Sequence, residues 1–169
     1  MDPAAISEDF FKRLLYETDP IHAVGTLSDR WSDRAKSTGP WLGLSMPEHQ
    51  VTMTLIYVGE VGNGGHTQFF SNRGGEIVAR VQAALRDVGL VELGAILGGA
   101  CALFPGGTVP VDCAEVDLLL EAWGEDLLDQ IDRLDQQLWQ LDAYPRLLNY
   151  LREHESEVLR PERELDQRR

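Results

Sequence analysis

The sequence predicts an all-α protein: a compact multi-helix bundle with an added N-terminal helical segment. Two observations predict it. Apolar residues recur at helical spacing along most of the chain, and helix-start and helix-stop signals punctuate that recurrence. The clearest stretch is 125–142, where Leu127, Ile131, Leu134, Leu138 and Leu141 share one face of a helix. At about 100° per residue these five positions form a stripe of roughly 80°. Asp129 and Asp132 project to the opposite side, with Asp126 at one flank and Asp135 at the other, and Arg133 is the only base. One face can therefore bury against a bundle. The other carries carboxylates roughly 4.5–6 Å apart along the axis.

Taken in order, Ser7 can cap a first helix running to about Thr18, with Phe10, Phe11, Leu14 and Leu15 inward, and Asp19-Pro20 breaks it. A weaker helical stretch, 22–36, carries Val24, Leu27 and Trp31, and Ser37-Thr38-Gly39-Pro40 reads as a loop. Residues 1–44 are thus an attached helical segment, packed by Trp31 and Trp41. Ser45-x-x-Glu48 with Pro47 between them is a helix-start signature. It favours helix for the β-branched run 51–58 that follows, which composition alone would allow as a strand. Gly62, Gly64 and Gly65 permit a sharp corner, and a short helical turn ends near Asn72 and Gly74-Gly75. An amphipathic helix, 76–88, buries Ile77, Val81, Leu85 and Val88 and stops at Gly89. The run 90–104 is apolar nearly all round and thinned by glycine and alanine, as befits a central helix. A loop at Pro105–Pro110, a short helix 116–123, the acidic helix and a last helix 143–158 with Leu147, Leu148 and Leu151 inward complete the domain 45–159. Residues 160–169 are charged, lack apolar anchors and are expected to fray.

Charge narrows the function. The 169 residues carry a formal net charge of −13, which disfavours direct contact with nucleic acid or an anionic membrane and suits a cationic partner. The charge is concentrated. Between Asp112 and Asp142 stand ten acidic residues and one base, a net −9. No basic leader opens the chain, and the longest apolar run has 11 residues, too short to span a membrane. Cys101 and Cys113 form neither a disulfide framework nor a zinc-type pair, and a reducing cytoplasm follows as the default.

The segment Glu60-Val61-Gly62-Asn63-Gly64-Gly65-His66-Thr67-Gln68-Phe69-Phe70-Ser71-Asn72, followed by Ala83-Ala84-Leu85, the small-residue helix, Phe104-Pro105, Leu134-Asp135 and Leu148-x-Tyr150-Leu151, resembles a bacterial family. It is the DNA-mimic-protein-like domain family, whose members are mostly of unknown function. The resemblance covers about 47–159 and centres on Asn63, Gly64, Gly65, Gln68, Phe69 and Phe70. This chain departs from it at Gly62, where a second asparagine is usual, and at His66, where an aromatic is usual. The resemblance implies an acidic, all-helical and often dimeric domain, one branch of which presents carboxylates in place of DNA phosphates and so occupies a DNA-binding protein.

On this reading the partner surface comprises Asp112, Glu115, Asp117, Glu121, Glu125, Asp126, Asp129, Asp132 and Asp135, and the partner is a basic, DNA-binding protein. A plain solvated helix face remains the simpler alternative. An immunity or antitoxin-like protein that neutralises a toxin would also be acidic. A third reading is an enzyme whose Glu60, Asn63, His66, Gln68 and Asn72 line a polar pocket, with His66 as acid or base. Against it, Gln68 and Asn72 can satisfy backbone groups where helices break, which makes the corner structural. The glycines lack the spacing and the lysine of a phosphate-binding loop. No catalytic residue, metal ligand or cofactor site is assigned: His22, His49, His66 and His154 are scattered, and the acidic row lacks calcium-loop spacing.

Overall fold

The computed structural model of the protein describes residues 8–38 and 43–158. Every regular element among them is helical: α1 (Glu8–Leu15), α2 (Pro20–Thr38), α3 (Met46–Val88), α4 (Val91–Cys101), a 3₁₀ turn at Pro105–Gly107, α5 (Cys113–Glu121), α6 (Glu125–Leu138), α7 (Tyr144–Glu153) and α8 (Glu155–Val158). No strand occurs among the described residues. The Ser7 cap, the Trp41 contact and the 160–169 tail lie outside them. No described helix is long and apolar enough to cross a membrane. The chain divides into two units, Met1–Thr52 with Ala143–Arg169, and Met53–Asp142.

In the first unit α1 and α2 pack with α7. Asp19 does more than interrupt the chain. Its Oδ1 accepts the N–H groups of Ile21 at 3.0 Å and His22 at 3.2 Å, so it caps α2, which opens on Pro20. α2 then runs through the expected loop residues Ser37 and Thr38. Val24, Leu27 and Trp31 are buried as their spacing requires, as are Leu147, Leu148 and Leu151 of α7. α1 closes three residues sooner than expected, where Arg152 of α7 donates to the carbonyls of Leu15 and Glu17. Phe10 and Phe11 are only half-buried. The Arg30 guanidinium lies over both rings, 4.5 Å from the Phe10 centroid. At the start of α3 the Ser45 N–H donates to Glu48 at 2.7 Å, the glutamate half of the expected capping box. The last helix is shorter than its pattern: α7 stops at Glu153, and α8 follows after His154.

In the second unit α3 carries the β-branched run as helix, with Tyr57 and Val61 fully buried. Glycines break α3 twice, at Gly64 (φ −157°, ψ 24°) with Gly65 (φ 75°, ψ 179°), and at Gly74 (φ 60°, ψ 178°). Helix resumes at once after each break, giving segments 46–63, 66–73 and 75–88. The third ends as expected at Gly89 (φ 83°), where the Leu90 N–H reaches the Leu85 carbonyl at 2.8 Å. α4 packs on α6, and Gly99 leaves the space that Leu134 enters. This helix is not buried all round. Leu93, Ile96 and Leu97 face inward, while Ala95, Gly98 and Ala102 are exposed, because small residues have little area to hide, and Val91 is exposed at the first position of the helix.

Candidate partner-binding face and the corner beneath it

Two acidic helices, α5 and α6, are each seated on a glycine break in α3. At the second break the Gly75 N–H donates to the Pro110 carbonyl at 2.7 Å. A Cβ on Gly74 would sit 2.4 Å from the Val111 carbonyl oxygen, and one on Gly75 2.2 Å from that of Val109. The loop 109–111 therefore lies directly on bare backbone, which fixes where α5 starts. Asp112 follows as its N-cap, accepting the Ala114 N–H at 2.8 Å, and α5 begins at Cys113 rather than Val116 for that reason. Replacing Asp112 with alanine is expected to cost about 1 kcal/mol in a denaturant titration, the usual loss for a cap.

At the first break Asp135 meets the backbone. The carboxylate accepts the His66 N–H at 2.9 Å and pairs with His66 Nδ1, while His66 Nε2 bonds the Tyr57 hydroxyl at 2.8 Å. A Cβ on Gly65 would lie 2.4 Å from Asp135 Oδ2. Asp135 thus caps the segment 66–73 from a different helix, where the dipole and free N–H groups favour a carboxylate. This corrects its expected place on the outer face. It is 6% exposed and belongs to the inner stripe, between Ile131 and Leu138. His66, expected to line a polar pocket, is fully buried. Burial above all, then the nearby Cys101 and Asp135, holds the Tyr57 hydroxyl well above its ordinary pKa, so it stays a donor. With the Nδ1 proton directed at Asp135 and Nε2 at the Tyr57 hydroxyl, all three side chains have hydrogen-bond partners.

The rest of the signature packs this corner shut. Tyr57, Phe69, Phe70, Phe104 and Trp123 make successive ring contacts at centroid distances of 5.1, 5.6, 5.0 and 5.2 Å. They run from α3 to the link between α5 and α6. The Trp139 indole N–H donates to the Val61 carbonyl at 3.4 Å at the far end of α6. Glu60 takes Gln68 at 3.0 Å, Asn72 at 2.9 Å and Arg73 Nε at 2.8 Å. Gln68 reaches the Glu60 backbone carbonyl only at 3.5 Å, and Asn72 binds the carboxylate, so the two amides serve a charge more than the broken helix backbone. Asn63 is exposed beside them. Buried Cys101 has its thiol pushed up to about 11 by burial, which removes a thiolate nucleophile near neutral pH. Of the side chains expected to line a pocket, Glu60, His66, Gln68 and Asn72 are hydrogen-bonded to one another or to neighbours, and Asn63 is exposed.

Burial would raise the Glu60 pKa, but the hydrogen bonds from Asn72, Gln68 and Arg73, with the Arg73 charge, hold it below the ordinary 4.5. Stability from this cluster is therefore complete above that ordinary value and fades as pH falls through the lowered one. In Glu60→Gln the loss of stability between about pH 6 and about pH 3 is expected to be shallower than in the parent, read from denaturant midpoints.

The outer face is a different environment. Asp112, Glu115, Asp117, Glu121, Glu125, Asp126, Asp129 and Asp132 are all exposed. Among the described residues no lysine or arginine pairs with any of these eight. The second unit holds four arginines against fourteen carboxylates, a net −10 of the chain's −13. Arg73, Arg80 and Arg86 are engaged by Glu60, Glu76 and Asp87. Only Arg133 stands within the acidic stretch. Of the nine acids expected to face outward, these eight are exposed and Asp135, at the flank of the apolar stripe and one turn after Ile131, is buried.

No curated protein and no solved structure gives a significant match. A family model described as DMP19-like protein matches residues 43–154, about two-thirds of the chain and the span that includes α3 through α7. The chain therefore belongs to the DMP19-like family, a family of DNA-mimic proteins.

Proposed function

We propose that the outer faces of α5 and α6 dock a basic, DNA-binding protein and occupy the surface with which it meets DNA. One observation carries the reading: eight exposed carboxylates in two consecutive helices without a described cation to neutralise them. Glu125, Asp129 and Asp132 follow one another at about one helical turn, so a charge recurs roughly every 5 Å along the row. Lysine and arginine side chains that otherwise meet phosphates can pair with such a row, and association would be fast and sensitive to salt. Membership of a DNA-mimic family supports the same conclusion. The enzyme reading is less favoured, because His66 is fully buried and Glu60 is held by Gln68, Asn72 and Arg73.

Affinity capture from native-cell extract tests the proposal. The parent protein is expected to retain a DNA-binding protein at about 0.05 M salt and release it at about 0.5 M. Glu125→Gln/Asp129→Asn/Asp132→Asn, with substitutions confined to exposed positions, is expected to fold normally and capture none. Equal capture by the variant contradicts the proposal. Retention of a toxin that binds no DNA would instead favour the immunity-type reading.

A further inference from the structure

α5 is apolar on two sides. Val116 is fully buried and Leu119 and Leu120 are half-buried, which accounts for its inner face. On the opposite side Leu118 is 68% exposed, with exposed Ala114 four residues before it and exposed Ala122 four after. These three positions line up along the helix. Val111, 71% exposed, stands at the foot of the row, just before the Asp112 cap. Glu115 and Glu121 lie three residues either side of Leu118, and Asp117 is next to it. The result is an apolar ridge with a rim of carboxylates, the plan of a protein-docking patch rather than of a solvated face.

A copy of the DNA backbone needs charge and has no use for such a ridge. A second copy of this chain placed on it would set carboxylate against carboxylate, and like charges across an interface oppose association. The complementary surface is an apolar groove edged with lysine or arginine. We propose that Ala114, Leu118 and Ala122 seat in such a groove on the basic partner while Glu115, Asp117 and Glu121 pair with its edge. This rests on the docking function above and adds to it a contact that salt does not screen. The partner is then recognised by more than its charge.

Two peptide probes separate the contributions: hexalysine, which offers charge alone, and an amphipathic leucine–lysine helix of about twelve residues, which offers charge and an apolar face. Binding is measured by calorimetry at about 0.05 M and about 0.5 M sodium chloride, with far-UV circular dichroism confirming the fold of each variant. Hexalysine is expected to bind the parent and Leu118→Asn alike at low salt and neither at high salt. The leucine–lysine peptide is expected to keep binding the parent at high salt and to bind Leu118→Asn about tenfold more weakly there, as loss of one buried leucine contact implies. Equal high-salt affinity of that peptide for parent and Leu118→Asn overturns the ridge alone. Undiminished hexalysine binding by Glu125→Gln/Asp129→Asn/Asp132→Asn overturns the docking function itself, and the ridge with it. If sedimentation shows a parent dimer that Leu118→Asn dissociates, the ridge belongs to a second copy and the proposal also fails.

Discussion

Asp135→Ala is expected to destabilise the protein by about 3–5 kcal/mol, a large part of the margin on which a domain of this size stands. The carboxylate is 6% exposed, accepts the His66 N–H and pairs with His66 Nδ1. Removing it leaves two buried donors without an acceptor and opens space beside Gly65. The Tyr57–His66 contact loses the group that orients the imidazole. A charge-matched comparison separates burial from net charge. Asp129→Asn removes one negative charge from the same helix, at an exposed site, and is expected to change stability by no more than about 0.5 kcal/mol. Asp135→Asn keeps an oxygen for the His66 N–H and should fall between the two. Urea titration of the three variants measures the series; equal midpoints would place Asp135 on the surface.

Gly74→Ala is the second large effect, expected at about 3 kcal/mol or more. Its backbone at φ 60°, ψ 178° lies in a region open in practice only to glycine, and an added Cβ would sit 2.4 Å from the Val111 carbonyl oxygen. The obstacle is main chain, which cannot rotate away as a side-chain tip can. Relief requires the loop 109–111 to lift from α3, taking the start of α5 with it. Gly65→Ala meets the same backbone restriction, with the Asp135 carboxylate as obstacle. Gly62→Ala provides the contrast. Gly62 is helical and exposed, and nothing lies within 4 Å of a Cβ placed there. It is expected to gain up to about 1 kcal/mol from helix propensity. Thermal denaturation of Gly62→Ala and Gly74→Ala should therefore shift in opposite directions.

These two substitutions also mark what the sequence could and could not convey. Leu127, Ile131, Leu134 and Leu138 announce α6 because a 3.6-residue period survives in any environment. The glycines announce a corner, since only they adopt its backbone angles freely. Which glycine bends, and which merely sits in a helix, depends on what approaches it. Gly62 and Gly65 are three apart in one motif, yet only Gly65 lies against Asp135, 70 residues further on. Local pattern cannot specify a partner at that separation. Asp135 stands at the flank of the apolar stripe, where periodicity allows either side, and its bonds to His66 decide that it turns inward. Asp19 reads in the sequence as a break and Asp112 as a surface charge, whereas in the structure both are the caps that set the starts of α2 and α5. Charge density, by contrast, needs only counting, and the outer faces of α5 and α6 were legible for that reason.

The same organisation gives the signature a purpose apart from chemistry. Its glycines and His66 receive α6 at one break, and Gly74 and Gly75 receive the loop before α5 at the next. Carboxylates on the far sides of those helices are thereby held outward, and for the docking proposed above a fixed array would bind with less ordering cost than a flexible one.

Competition with DNA tests the central claim most directly. A fluorescent duplex is bound to the basic protein that this chain captures, and its anisotropy is followed as the chain is added. The parent is expected to release the duplex at low salt, with the effect fading as salt rises, and Glu125→Gln/Asp129→Asn/Asp132→Asn is expected to leave the duplex bound. Release of the duplex by that variant at the parent's concentration, or release by the parent that does not weaken with salt, would contradict it.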